Sequence, residues 1–192
     1  MAEIILTGEF VNLRALNTRD AEVTFKWRKS RRAKFLNQGA STAQQQLDWI
    51  ASRPSSEFNF IIELKRNNTP LGMISLTNLD KENLHAEPGR FLIGEEDSVR
   101  GIPVAVEAVK LLYEFAFYDL GLVRLYGVIA ENNSLMIKWH KYMGMKVEGQ
   151  LRNHLKQGDT YQDGVLVGLL LEDFKKITLP KINSLLALAH KI

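Results

Sequence analysis

No cysteine occurs among the 192 residues. That excludes disulfides, thiolate metal sites and a cysteine nucleophile, and with them acyl transfer through an enzyme thioester. Nor does any apolar run approach the roughly eighteen residues of a membrane span. The amino terminus shows no basic stretch leading into an apolar core and a cleavage site. A soluble, cytoplasmic protein without a membrane partner is the expectation. Neither Gly-x-Gly-x-x-Gly nor Gly-Lys-Ser/Thr is present, which argues against a dinucleotide fold or a P-loop. Charge of one sign is scarce as well: 25 Lys and Arg stand against 22 Asp and Glu, a net +3. That balance favours an anionic small ligand mildly and gives no reason to expect a nucleic-acid partner or a metal.

What is present suits one buried core. Hydrophobic residues make up 45% of the chain, enough for one domain and too little length for two ordinary ones. No repeat, linker or low-complexity segment interrupts it. Period-2 and period-3.6 patterns alternate, predicting an α/β (α+β) fold with a mixed sheet and helices packed on it. Strands are expected near residues 10–16, 58–65, 70–79, 89–95, 123–129, 145–156 and 160–171, and helices near 19–34, 42–53, 103–119, 133–143 and 179–190. Asn67-Asn68 and Gln157-Gly158-Asp159 are hairpin turn signals.

The junction Arg100-Gly-Ile-Pro-Val-Ala105, between the strand-like Phe91-Leu92-Ile93 and an apolar helix, has the chemistry of an anion site. The first turn of a helix leaves backbone N–H groups without partners, its dipole adds partial positive charge, and Gly101 and Ala105 leave room for a phosphate. Pro103 suits the start of a helix but removes one possible donor.

Three ordered blocks carry a family resemblance. Arg100, Pro103 and Ala105 fall on the defining positions of the Arg/Gln-x-x-Gly-x-Gly/Ala loop of the GNAT superfamily of acyl-CoA-dependent N-acyltransferases, with proline in place of the central glycine. Asn133, Met143, Gly144, Met145, Glu148 and Gly149 lie in register with that family's Asn-led helix and Glu-Gly turn. Leu151-Arg-Asn-His154 and Gly158-Asp-Thr-Tyr-Gln-Asp163 resemble the closing hairpin of the branch that holds ribosomal-protein N-terminal, spermidine and sugar-nucleotide amine acetyltransferases. The order of Val11–Leu16, Asp20, Trp27-Arg28, Ser41, Gln46 and Trp49 is similar to the same branch. The resemblance covers roughly residues 10 to 172. It implies a GNAT-like, mostly antiparallel central sheet of about six to seven strands flanked by helices. The domain would occupy residues 1–174, with a helical extension at 175–192 packed on it or at a homodimer contact.

For the site, the resemblance implies acetyl-CoA as cosubstrate and a primary amine as acceptor. Phe91, Leu92, Ile93 and Gly94 would pair with the pantetheine arm as an added strand does, and a main-chain N–H near Ile93 or Gly94 would meet the oxyanion. Arg100, Gly101, Ile102, Pro103, Val104 and Ala105 would cradle the pyrophosphate, and Asn133 would approach the pantetheine or the acceptor while capping its helix. His140 occupies the place at which many relatives carry a tyrosine, making it the candidate acid for the departing thiolate. Glu95, followed by Glu96 and Asp97, is the candidate base.

The basic residues Lys26, Arg28, Lys29, Arg31, Arg32 and Lys34 would lie on the first helix at the acceptor side. They favour an anionic acceptor such as a nucleotide-linked amino sugar over a polyamine. The rival acceptor is the amino terminus of a ribosomal or other protein. A catalytically idle acyl-CoA-binding module, suggested by Pro103 and His140, is the reading from a different class.

Overall fold

The computed structural model describes residues 5–37, 39–54 and 56–189. Eight strands form one open sheet in the order β1-β2-β3-β4-β5-β6-β8-β7. They are β1 (Ile5–Thr7), β2 (Val11–Ala15), β3 (Phe58–Leu64), β4 (Thr69–Asp80), β5 (His85–Ile93), β6 (Arg124–Ala130), β7 (Lys146–Gln157) and β8 (Thr160–Leu170). Every neighbouring pair is antiparallel except β5 with β6. The strand pattern of the sequence missed β1, which at three residues is too short to show a period.

The sheet is covered on both faces, as the alternation within β3 shows. Phe60, Ile62 and Leu64 join one buried cluster with residues of α3 (Val104–Glu114) and α6 (Leu179–Ala189), while Ile61 joins a second cluster containing Trp27 of α1 (Ala21–Arg28) and Ile50 of α2 (Ala43–Ala51). Between β6 and β7 runs α4 (Ser134–Tyr142).

Two helices depart from expectation. The first was expected to run over 19–34. It starts from a 3-10 turn at Thr18–Asp20, closed by a capping box between Asn17 and Asp20, and ends at Arg28; Arg31–Phe35 is a separate 3-10 turn. The basic run therefore does not share one helix face. Arg32 pairs with Glu96, Lys29 and Lys34 lie over the rings of Phe25 and Phe35, and Arg28 donates to the backbone and side-chain oxygens of Asn37. At the carboxyl end, the helix expected at 179–190 begins eight residues earlier, with α5 (Leu171–Asp173) and a π turn (Phe174–Thr178) leading into α6. Phe174, Ile182 and Leu186 are buried in the main cluster. Residues 1–4 and 190–192 of the expected division of the chain lie outside the described residues.

The start of α3 is tied to the opposite end of the chain. Glu107, buried on that helix, accepts the backbone N–H of Glu9 at 2.6 Å and those of Phe10 and Val11 at 2.7 Å each. A Cβ on Gly8 would lie 2.6 Å from this carboxyl carbon, so the β1–β2 turn closes around it only with glycine there.

Candidate active site

Strands β5 and β6 run parallel and pair only at His85↔Arg124 and Ala86↔Leu125. A bond from Val123 N–H to Leu84 carbonyl closes the base of the wedge. Beyond it β6 continues to pair with β8 as far as Ala130, and β5 with β4 as far as Ile93, so the facing edges of β5 and β6 separate without a strand between them. Separated edges of this kind expose rows of backbone donors and acceptors to a ligand.

Which N–H at the end of β5 is open follows from register. Gly94 N–H donates to Leu71 carbonyl at 2.8 Å and Glu95 N–H to the same oxygen at 3.1 Å. The pair Gly72↔Ile93 next to it is consequently a non-hydrogen-bonded one, and Ile93 N–H points away from β4 into the wedge. Of the two expected oxyanion donors, Gly94 is engaged and Ile93 is open. One residue inserted into β5 between Gly89 and Leu92 makes a bulge, at which Arg90 adopts φ +49°.

After β5 the chain makes a 3-10 turn (Glu96–Val99) and enters α3 through the expected anion loop. Gly101 takes φ +77°, a conformation that favours glycine. Ile102 N–H bonds Val99 and Val104 N–H bonds Ile102, which leaves the N–H groups of Ala105 and Val106 as the first-turn donors. Arg100 is fully out on the surface, paired with Asp97 at 3.0 Å. On the other wall, Asn133 begins α4, yet its side chain makes no capping hydrogen bond, contrary to the capping role expected of it.

His140 is half-buried on α4. Its Nδ1 lies 2.9 Å from Met136 carbonyl, which can only accept, so Nδ1 carries the proton and Nε2 carries a lone pair. Burial lowers its pKa below the ordinary histidine value, and the carbonyl contact opposes this only in part. The resting imidazole is neutral.

Glu95 is held from the α1 side. Trp27, almost fully buried, donates its indole N–H to Glu95 Oε1 at 2.8 Å, and Lys26 Nζ stands 4.0 Å from the same oxygen. Arg28, the residue after Trp27 on α1, lines a cavity of about 170 Å³ together with Asn37, Gln45, Gln46, Trp49 and Arg90. Arg90 forms a two-point contact with Glu57 (2.6 and 3.2 Å) and donates to Asn59 Oδ1 at 2.8 Å. The guanidiniums of Arg90 and Arg53 lie 5.1 and 4.9 Å from the centre of the Trp49 ring. Sequence reasoning reached Arg28, Gln46 and Trp49 but missed Arg53, Arg90 and Glu57. Nothing local marks these three, because a bulge and a loop bring them together.

Comparison with known proteins agrees with this architecture. A model of the acetyltransferase (GNAT) domain matches residues 11–146. The chain is 27% identical over 183 residues, 91% of this chain and 98% of the other, to the SPbeta prophage-derived uncharacterized N-acetyltransferase YokL of Bacillus subtilis. It is 26% identical over 110 residues, covering 57% of this chain and 56% of the other, to spermidine N(1)-acetyltransferase of Escherichia coli. Among solved structures, a probable acetyltransferase of the GNAT family from Chromobacterium violaceum superposes with a TM-score of 0.79 at 21% identity, covering 91% of this chain and 90% of that one.

Proposed function

Because this chain belongs to the GNAT acetyltransferase family, and so is an acetyl-CoA-dependent N-acyltransferase, we propose that it acetylates the primary amine of a small molecule, such as a nucleotide-linked amino sugar, by direct transfer. The observation that carries this reading is the β5–β6 wedge, open at Ile93 and ended by the first turn of α3. The free edge of β5 fits the amides of a pantetheine arm, and the N–H groups of Ala105 and Val106 beside Gly101 fit its phosphates.

The residues divide the work as follows. Ile93 N–H donates to the oxygen that gains charge as the amine adds to the thioester carbonyl. Glu95, oriented by Trp27, removes the proton that the free amine carries at neutral pH. His140, protonated at Nδ1, must receive a proton at Nε2 before it can give one. It therefore fits a relay from the attacking nitrogen to the departing thiolate better than a standing acid. Asn133, with its amide uncommitted to a cap, orients the arm or the acceptor.

The test is release of free coenzyme A thiol from acetyl-CoA against nucleotide-linked amino sugars, spermidine, aminoglycosides and peptides with free amino termini. Turnover of a small-molecule amine is the expected result. Turnover confined to peptides would move the acceptor to a protein amino terminus. Tight acetyl-CoA binding without turnover on any amine would sink the enzymatic reading.

A further inference from the structure

Three guanidiniums meet beside the bulge of β5, and one carboxylate faces them. Arg90 is satisfied by Glu57 and Asn59. Among the described residues, Arg28 reaches only the oxygens of Asn37, and Arg53 gives a long bond of 3.4 Å to Ile50 carbonyl while its Nε is buried without a hydrogen-bond partner. Burial lowers the pKa of both Arg28 and Arg53, and the charge of Arg90 lowers each further, although Glu57 offsets part of this at Arg53. Such a cluster is costly unless an anion completes it. The protein nevertheless holds it open: a Cβ on Gly39 would come within 2.6 Å of Arg28 Nε, and Trp49 offers a flat surface to the other two guanidiniums.

We infer that the cavity lined by Arg28, Trp49 and Arg90, with the Arg53 guanidinium against the Trp49 ring beside it, binds an anionic group, phosphate or carboxylate, carried by the acceptor, and so selects acceptors that bear one. The inference rests on the amine-acetylation reading above. Arg90 and Ile93 are three residues apart on one strand, across the bulge, which keeps the backbone beside the cavity within about 10 Å of the oxyanion donor. An amine and a phosphate on one sugar ring are close enough together to reach both places at once. A polyamine, the acceptor named for the spermidine N(1)-acetyltransferase to which this chain is similar, would bring a cation to the same guanidiniums and be repelled.

The experiment compares kcat/KM for four primary amines: a nucleotide-linked amino sugar, the same amino sugar without phosphate, an amino dicarboxylic acid and spermidine. It is run on the wild type, Arg53→Gln and Arg28→Gln. At least a tenfold preference for one anionic acceptor over the phosphate-free sugar is expected, falling at least fivefold in either variant through KM. Which anionic acceptor is preferred separates phosphate from carboxylate. Spermidine as the best acceptor, or an unchanged preference in both variants, overturns the inference while leaving amine acetylation intact. If no amine turns over, quenching of tryptophan fluorescence by inorganic pyrophosphate with coenzyme A saturating its own cleft reads the site directly. Quenching absent from Arg53→Gln and Trp49→Phe upholds the anion site, and no quenching of the wild type overturns it.

Discussion

Trp27 and Glu95, far apart in sequence, are joined by an indole N–H to carboxylate hydrogen bond of 2.8 Å at the mouth of the β5–β6 wedge. The same indole lies flat against Gly94, where a Cβ would stand 2.2 Å from its Cδ1 and Cγ. One buried side chain of α1 thus sets both the carboxylate and the backbone that follows Ile93. The link from packing to chemistry passes through this ring.

Trp27→Phe keeps most of the apolar volume and removes the donor. Glu95 is then free to swing away from the wedge, and a misplaced base costs rate more than binding. The expected result is a fall of about tenfold in kcat with acetyl-CoA affinity unchanged, and a stability loss of about 1–2 kcal/mol. Steady-state kinetics and a denaturant melt check both; an unaltered kcat would remove Glu95 from the chemistry.

Gly94→Ala tests the contact from the other side. The added methyl overlaps ring atoms of a fully packed residue, so either Trp27 or the end of β5 has to shift, at a cost of about 1–3 kcal/mol. Since the shift carries Ile93 N–H with it, KM for acetyl-CoA should rise together with the loss in stability. Combining it with Trp27→Leu, which opens space, should recover part of the stability and none of the activity.

Much of this arrangement was legible in the sequence, and the reasons are physical. Seven strands and the helices at α2 and α3 announce themselves because each repeats its period over several buried residues, as Phe60, Ile62 and Leu64 do. The turn into α3 was readable because Gly101 and Pro103 punctuate a junction between two strong patterns. The acceptor cavity was not readable. Arg53 and Glu57, close together after α2, lie far in sequence from Arg90 and meet it only through a bulge and the loop after α2, features that hydrophobic periodicity does not register. The end of the first helix at Arg28 was hidden by helix-forming lysines and arginines that continue past it.

His140 should leave a signature in pH dependence. Unfolded, its imidazole takes up a proton near 6.5; folded, burial delays this to lower pH. Between the two values the unfolded chain binds more protons, so the contribution of the neutral ring is complete above about 6.5 and is lost as pH falls through the folded value. His140→Gln should flatten that part of the stability profile, measured by denaturant melts at a series of pH values. If His140 relays the proton, the same substitution should also lower kcat about tenfold or more while KM for acetyl-CoA holds.

Glu107→Ala should be among the most damaging changes outside the site. It strands three backbone donors of the β1–β2 turn that now share one buried carboxylate, at a cost of about 3 kcal/mol or more. Glu107→Gln keeps one carbonyl acceptor and should lose about half as much. Because this carboxylate also fixes the first turns of α3 against the sheet, KM for acetyl-CoA should rise in both variants in the order of their stability loss, as read by thermal melts and kinetics side by side.

Pro103→Gly sets two effects of opposite sign against each other. Proline at this position holds φ at −80° as the chain enters α3 and denies the loop one N–H. Glycine restores the donor that the related loops carry, and one more hydrogen bond to a charged phosphate is worth about 1.5 kcal/mol, a tightening of acetyl-CoA binding of about tenfold. Glycine also loosens the unfolded chain and the loop, lowering stability by about 0.5–1 kcal/mol. Tighter binding by calorimetry together with a lower melting temperature is therefore the expected pair. Weaker binding would mean that rigidity at the mouth of α3 outweighs the missing donor, and that Ala105 and Val106 with Gly101 already satisfy the phosphates.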